Sequence, residues 1–293
     1  MSAAQSITRA LNGRWDGRRG IACCPAHEDR TPSLSLTDAD DGRLLMYCHA
    51  GCSFTEVVDA LRRKGLIEHR RSNTRVSSAE ARRHRAVETD AMKKRSRMAW
   101  KLWNAASPIA GTLGETYLNG RGIDCTLPDT LRYMDSCWHR DSQSLPAIVA
   151  RVDGGDGFAI QRTYLTPDGT AKADHVEAKL SLGCMRGGAV RLCSGFTRLV
   201  VAEGIETALS LRCGLLDLPA SIWAALGASG LRNLRLPQTP GELIVAIDGD
   251  PTGWNAGREL ARRAYAIGWS VSLLPAPNGT DWNDVLRGKA VAA

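Results

Sequence analysis

No apolar run in this 293-residue chain approaches the roughly eighteen residues that a membrane-spanning helix needs, and the first residues lack the long apolar core of a secretory signal. A membrane role is excluded on that ground, and a cytoplasmic location is the expectation. No Gly-x₄-Gly-Lys-Ser/Thr loop is present, so the sequence has no P-loop helicase motor. It also lacks the serine elbow of a nucleophilic hydrolase. Acids are fewer than bases: 31 Asp and Glu stand against 38 Lys and Arg, for a net charge of +7 and a pI near 9.1. Such a balance points to a polyanionic partner.

The stretch 199–250 organises the rest. Leu199-Val200-Val201-Ala202 stops at Glu203-Gly204 and continues as a helical pattern, and Leu243-Ile244-Val245-Ala246-Ile247 stops at Asp248-Gly249-Asp250 before another. Apolar strands alternating with helices imply a parallel sheet, which presents functional groups at the carboxyl ends of its strands. Glu203, Asp248 and Asp250 are therefore expected on one edge. Like charges about 4 Å apart repel by roughly 4 kcal/mol at an effective dielectric near 20, so a set of acids there calls for a divalent cation. Hard oxygen ligands on short loops suit Mg²⁺, with Mn²⁺ as a substitute. The competing explanation is that the acids cap the helices that follow.

Glu-Gly after one strand and Asp-x-Asp after a later one resembles the Toprim domain, shared by DnaG-type bacterial and phage primases, topoisomerases and some nucleases. The resemblance implies that Glu203 is the acid/base carboxylate and that Asp248 and Asp250 hold the catalytic metal. Asp281, in Gly279-Thr280-Asp281-Trp282, is similar to a later family acid near that metal, or else caps a helix over 282–286. Glu206 stands where relatives often carry an acid, or else faces solvent.

Nine cysteines, an odd number, with short metal-ligand pairs near the N-terminus, favour metal binding in a reducing compartment over a disulfide scaffold. Cys24-Pro25-Ala26-His27 and Cys48-His49-Ala50-Gly51-Cys52 flank two strand-like runs, over 32–36 and 44–47, joined by a turn at Asp40-Asp41-Gly42. Cys24, His27, Cys48 and Cys52 make a closed tetrahedral Zn²⁺ set, which is structural; Cys23 and His49 are adjacent alternatives. Cys125, Cys137, Cys184, Cys193 and Cys213 read as packing residues. Cys-Pro-x-His, a Thr-Pro-Ser-Leu strand and a cysteine pair resemble the zinc ribbon of DnaG-type primases, which helps engage single-stranded template. The final Cys-x₃-Cys spacing resembles the phage or plasmid branch.

The expected fold class is α/β, with four parts. A zinc ribbon over 1–67 opens with a helix near 6–11 and is closed by an amphipathic helix over 54–66 with Phe54, Val57, Val58, Leu61 and Leu66 on its apolar stripe. A basic linker over 68–99 follows, partly disordered. Between Arg62 and Lys101 the sequence holds fourteen Lys or Arg against four Asp or Glu, and Arg82, Arg83 and Arg85 are candidates for salt-dependent phosphate contact. An α+β basic subdomain over 100–196 has a helix near 107–118, a short strand at 131–133 and a hairpin over 146–165, with Arg121, Arg162, Lys172 and Lys179 as further phosphate candidates. The Toprim domain over 197–293 has a Rossmann-like parallel sheet with strands near 198–202, 221–224, 243–247 and 270–274, and helices near 205–213, 230–234 and 254–267. Ribbon plus Toprim implies a DNA primase that joins ribonucleoside triphosphates into primers on single-stranded DNA, fed by a separate replicative helicase. A metal-dependent nuclease could use the same acids, and a non-catalytic single-strand-binding accessory protein could use the same basic surface.

Overall fold

The computed structural model describes residues 2–27, 29, 32–39, 43–67, 78–139, 143–174, 177–216 and 218–288, with the helical backbone alone for 78–88. The expected turn at Asp40-Asp41-Gly42, residues 68–77 and the side chains of Arg82, Arg83 and Arg85 lie outside this description. The chain divides into two compact units, Met1–Glu80 and Ala81–Ala293.

The first unit is a four-stranded antiparallel sheet with a helix on either side of it in sequence. Its elements are α1 (Ala3–Ala10), β1 (Arg14–Trp15), β2 (Gly20–Ala22), β3 (Leu34–Asp38), β4 (Leu44–Cys48) and α2 (Phe54–Arg63), with the strands in the order β1-β2-β3-β4. β1 and β2 were not expected from the sequence, because two- and three-residue strands leave no period to read. Ser53 and Glu56 form a reciprocal capping box that starts α2. Val57 and Leu61 are buried as expected, but Phe54 is 60% exposed: it is the first residue of the helix and falls off the buried stripe. Among the described residues, the buried core comprises Ala4, Ile7, Ala22, Cys24, Leu34, Leu36, Cys48, Val57 and Leu61. A core this small is marginal on its own.

α3 (Ser78–Ala105) begins just before the boundary and lies mostly in the second unit, so the segment expected as a partly disordered linker is helical from Ser78 onward. Propensity accounts for part of this, since its Ala, Arg, Lys and Glu are strong helix formers whatever their charge. Packing accounts for the rest: Ala99, Trp103 and Ala106 bury against Val149 and Ile160. β5 (Ser107–Pro108) and α4 (Leu113–Gly120) replace the single helix expected over 107–118. Pro108 holds Ser107 extended, Gly111 turns at φ +74°, and Thr112 caps α4. β6 (Leu131–Trp138), β7 (Ser144–Val152), β8 (Ala159–Tyr164) and β9 (Lys179–Gly183) complete an antiparallel sheet of order β5-β6-β7-β8-β9.

β10 (Val190–Cys193), β11 (Arg198–Ala202), α5 (Ile205–Ser210), β12 (Ser221–Ala224), α6 (Ala228–Asn233), β13 (Glu242–Ile247), α7 (Pro251–Ala266), β14 (Ser270–Pro275) and α8 (Trp282–Leu286) follow. The sheet order is β10-β12-β11-β13-β14, parallel except for the antiparallel edge strand β10. α5 ends three residues earlier than expected, passing into a π-turn over Leu211–Leu215 in which Gly214 takes φ +123°. Alternate residues of β11 and β13 face two different cores: Val200, Ala202, Ile244 and Ala246 pack towards the antiparallel sheet and α5, while Leu199, Val201, Leu243 and Val245 pack under α6 and α7. Each large apolar side chain buried this way contributes about 1.5–3 kcal/mol. This two-sided burial makes the strands read as unbroken apolar runs.

Cys125 and Cys213 are joined in a disulfide, with Cα atoms 5.3 Å apart. The two are therefore a covalent tie between the segment after α4 and the π-turn after α5, and not the separate packing residues expected. They lie 88 positions apart, so no sequence spacing announces the pair.

Candidate catalytic cleft and metal centre

β11 lies between β12 and β13, and the helices that follow β11 and β13, α5 and α7, pack on opposite faces of the sheet. A crevice opens at such a switch point, beyond the carboxyl ends of the strands. Ala202 pairs with Ala246, which puts Glu203 and Asp248 at the adjacent ends of β11 and β13. The loop after β12 fixes Glu203: the N–H groups of Leu226 and Gly227 donate to its carbonyl at 2.8 and 3.1 Å. Leu226 takes φ +69° to do so, a strained conformation for a branched side chain held in place by these bonds. Thr207 Oγ1 donates to Asp248 Oδ1 at 3.4 Å. Gly249 donates to the Thr280 carbonyl at 2.8 Å and accepts from Gly279 N–H at 2.8 Å, locking the acidic loop to the segment that carries Asp281. A Cβ at residue 249 would collide with the Pro277 carbonyl, so this turn admits only glycine.

Glu203, Asp248 and Asp281 line a cleft of about 260 Å³, and Arg121, Lys172, Lys179, Gln161, Glu206 and Thr207 line it with them. Three expected acids and three expected cations thus share one cavity. Asp250 does not line it; the side chain is on the exposed rim and caps α7, accepting from Gly253 N–H at 2.7 Å. Asp281 caps α8 through a capping box with Asp284 while still facing the cleft, so capping and cleft-facing coexist in one residue. Burial pushes the Asp248 carboxyl up to about 7, and Glu203, Asp281 and Asp250 add their repulsion. Burial also raises Glu203, again with Asp250 contributing. The acids repel without a cation between them, and their donor set is all oxygen, which fits Mg²⁺.

Glu206 corrects the solvent-facing alternative. It is 7% exposed, and its carboxylate takes Lys172 Nζ at 2.8 Å, Lys179 Nζ at 3.2 Å and the Tyr117 hydroxyl at 3.1 Å. Burial opposes its charge, but Lys179 and Lys172 outweigh that and hold its carboxyl well below the usual range. Burial, with Lys179 adding to it, pulls the Lys172 ammonium below the ordinary lysine range against the pull of Glu206. Arg162 does not line the cleft: at 5% exposure it donates to the Trp138 carbonyl at 3.1 Å and lies 5.6 Å from the Tyr164 ring. Thr207, Gln161 and Tyr117 were missed in the sequence; only the helical spacing of Glu206-Thr207 after Glu203 carries any signal for them.

In the first unit, Ala22 pairs with Leu34 and Leu34 with Cys48, so the ends of β2 and β4 flank the start of β3 at the same level of the sheet. The ligand atoms of Cys24, His27, Cys48 and Cys52 all lie within 4.8 Å of one another. Cys23 stays outside the group. His49 turns away, with Nε2 at 2.8 Å from Ser35 Oγ and its ring edge-on to Tyr47. His27 points Nδ1 towards Cys52 Sγ at 3.2 Å and Nε2 towards Asp29 at 3.7 Å, the carboxylate–histidine arrangement that orients a metal ligand. Asp29 also accepts from Cys24 N–H at 2.7 Å and from the Ser33 hydroxyl, an orienting role the sequence did not reveal. Burial pushes the Cys24 thiol up to about 12, with the Cys48 sulfur adding to it. Burial works against the Cys48 thiolate as well, but the Cys52 and Ala50 N–H groups and Ser33 outweigh it. Three sulfurs and one imidazole fit tetrahedral Zn²⁺.

No helix among the described residues is long and apolar enough to cross a membrane. No curated protein matches the chain. Residues 93–192 match a family described as a domain of unknown function, DUF7146, and residues 198–291 match the family described as the Toprim domain. Among solved structures, the Aquifex aeolicus primase (zinc binding and RNA polymerase domains) is 14% identical, with 98% of this chain and 80% of that one covered at a TM-score of 0.39. The primase fragment of the bacteriophage T7 primase-helicase protein is 20% identical over 49% of this chain and 62% of its own, at 0.32. The RNA polymerase domain of the Mycobacterium tuberculosis primase DnaG is 17% identical over 62% and 63%, at 0.31. The Glu-Gly and Asp-x-Asp strand ends thus belong to a Toprim domain, residues 198–291, in a chain of mixed α/β fold whose N-terminal unit carries a Cys-His-Cys-Cys cluster.

Proposed function

We propose that this protein is a DNA primase that makes short RNA primers on single-stranded DNA. The observation that carries the reading is the cleft itself, in which Glu203, Asp248 and Asp281 share one cavity with Arg121, Lys172 and Lys179. Joining nucleotides needs an anionic triphosphate held while a 3′-hydroxyl gives up its proton, and acids beside cations meet both needs. Mg²⁺ held by Asp248 and Asp250 with Glu203 alongside would offset the charge that builds on the reacting phosphate. Lys172, Lys179 and Arg121 bind the triphosphate, and Glu203, its carboxyl raised by burial, takes the proton of the attacking hydroxyl. Zinc at Cys24, His27, Cys48 and Cys52 shapes the N-terminal unit, which engages the template together with Arg82, Arg83 and Arg85. A separate helicase supplies the single strand.

The test is incubation with single-stranded DNA, Mg²⁺ and labelled ribonucleoside triphosphates, resolved on a gel beside Asp248→Ala. Template-dependent oligomers from the native protein alone are the expected result. Their absence across varied templates, with Mn²⁺ also tried, would point instead to a nuclease or a binding module.

A further inference from the structure

Glu206 has no part in the chemistry just described, yet it is the most enclosed carboxylate in the cleft wall. Its partners come from three places in the chain: Tyr117 from α4, Lys172 from the turn after β8, and Lys179 from the first position of β9. Glu206 itself sits in the first turn of α5. One side chain of the Toprim sheet's helix thereby ties down both cleft lysines of the antiparallel sheet. Oε1 takes Lys172 and Tyr117, and Oε2 takes Lys179, so both oxygens are used.

We propose that Glu206 is a positioning residue that fixes the Lys172 and Lys179 ammonium groups on the cleft wall to receive the phosphates of a nucleoside triphosphate. The inference rests on the nucleotide reading of the cleft and adds the element that organises it. Lysine is a point charge on a flexible four-carbon stem, and a bound phosphate must otherwise order it. Glu206 has ordered it in advance. Each ammonium has three N–H donors, and the contact with Glu206 uses one, leaving the others for an anion. Without Glu206 the nearest acids in the same cavity are Glu203, Asp248 and Asp281, and lysines drawn to them would occupy the place of the metal. Arg121 is the remaining cation lining the cavity. Stability alone is a weak reason for the arrangement, since a buried ionic cluster often contributes no more than apolar groups of the same volume.

The experiment measures equilibrium binding of ATP with Mg²⁺ to the full chain, for native protein, Glu206→Gln, Lys179→Met and the double variant, with melting and circular dichroism to establish folding. Glu206→Gln should weaken ATP binding about five- to tenfold while the fold is kept. In primer synthesis it should raise the KM for nucleotide by a similar factor with kcat nearly unchanged. The double variant should bind more weakly than Lys179→Met but less weakly than the product of the two single losses, because the Lys179 contact is shared by both changes while the Lys172 contact is lost only with Glu206. Should Glu206→Gln not fold, Glu206→Asp, which keeps the charge on a shorter arm, should show a smaller loss of the same kind. Folded Glu206→Gln binding ATP as well as the native protein would overturn the inference and leave the nucleotide reading standing. Native protein that binds no ATP would overturn both.

Discussion

Asp248 carries an electrostatic liability in the acidic cleft, and that liability can be measured. Its carboxyl is pushed from about 3.8 to about 7 by burial and three neighbouring acids. The folded state therefore holds a proton that the unfolded state has released, and stability falls as pH rises from near 4 to near 7. Above that window the ionised carboxylate costs on the order of 3 kcal/mol after allowance for partial solvent access. In metal-free protein, Asp248→Asn should melt higher than the native chain at pH 8, with the gap shrinking steadily towards pH 4. Added Mg²⁺ should remove the advantage by stabilising the native ionised form. A gap that is independent of both pH and Mg²⁺, followed by thermal melting, would show that Asp248 does not face its acidic neighbours without compensation.

Strands β11 and β13 were legible in the sequence because burial on both faces makes them unbroken apolar runs, and the acids that end them were legible for the same reason. The four zinc-type ligands were legible because ligand pairs at the ends of strands have a spacing that can be read along the chain. What failed was whatever depends on distant partners. Glu206 reads as one more helical acid until Lys172 and Lys179 arrive from another sheet, and Arg162 reads as a surface base until β8 proves buried on both sides. α3 was misjudged because charge density was weighed above helix propensity and above the apolar stripe of Ala99, Trp103 and Ala106 near its end. The Cys125–Cys213 tie is the plainest case, joining the exits of α4 and α5. Closing a loop of that length should stabilise the second unit by about 2–5 kcal/mol. Thiol titration of denatured, chelated and unreduced protein should find seven free thiols of the nine cysteines, and Cys213→Ser should lower the melting temperature. Nine free thiols in freshly isolated protein would mean that the tie does not form.

At the scale of the molecule, each core is confined to one unit. Among the described residues, the core beside the Cys-His-Cys-Cys cluster draws on residues between Ala4 and Ile67, and the other clusters on residues from Ala99 onward. The nine buried residues of this cluster among those described, two of them cysteines of the Cys-His-Cys-Cys group, cannot by themselves balance the entropy of ordering a unit of that length. The second unit has two large clusters that share the Toprim sheet between them, a far larger apolar core than the first unit's. Chelation of zinc should therefore act on one unit and spare the other. Structural zinc contributes on the order of 10–16 kcal/mol to the folding of small domains, far more than a nine-residue core can replace. Treatment with a strong zinc chelator should abolish the first unit's protection from hydrogen exchange over β2 to α2, while the exchange of β11 to β13 and the main melting transition stay where they were. Re-addition of Zn²⁺ should restore the protection. Protection over β2 to α2 that survives complete zinc removal would show that the small core suffices, and would make the cysteine cluster dispensable for the fold.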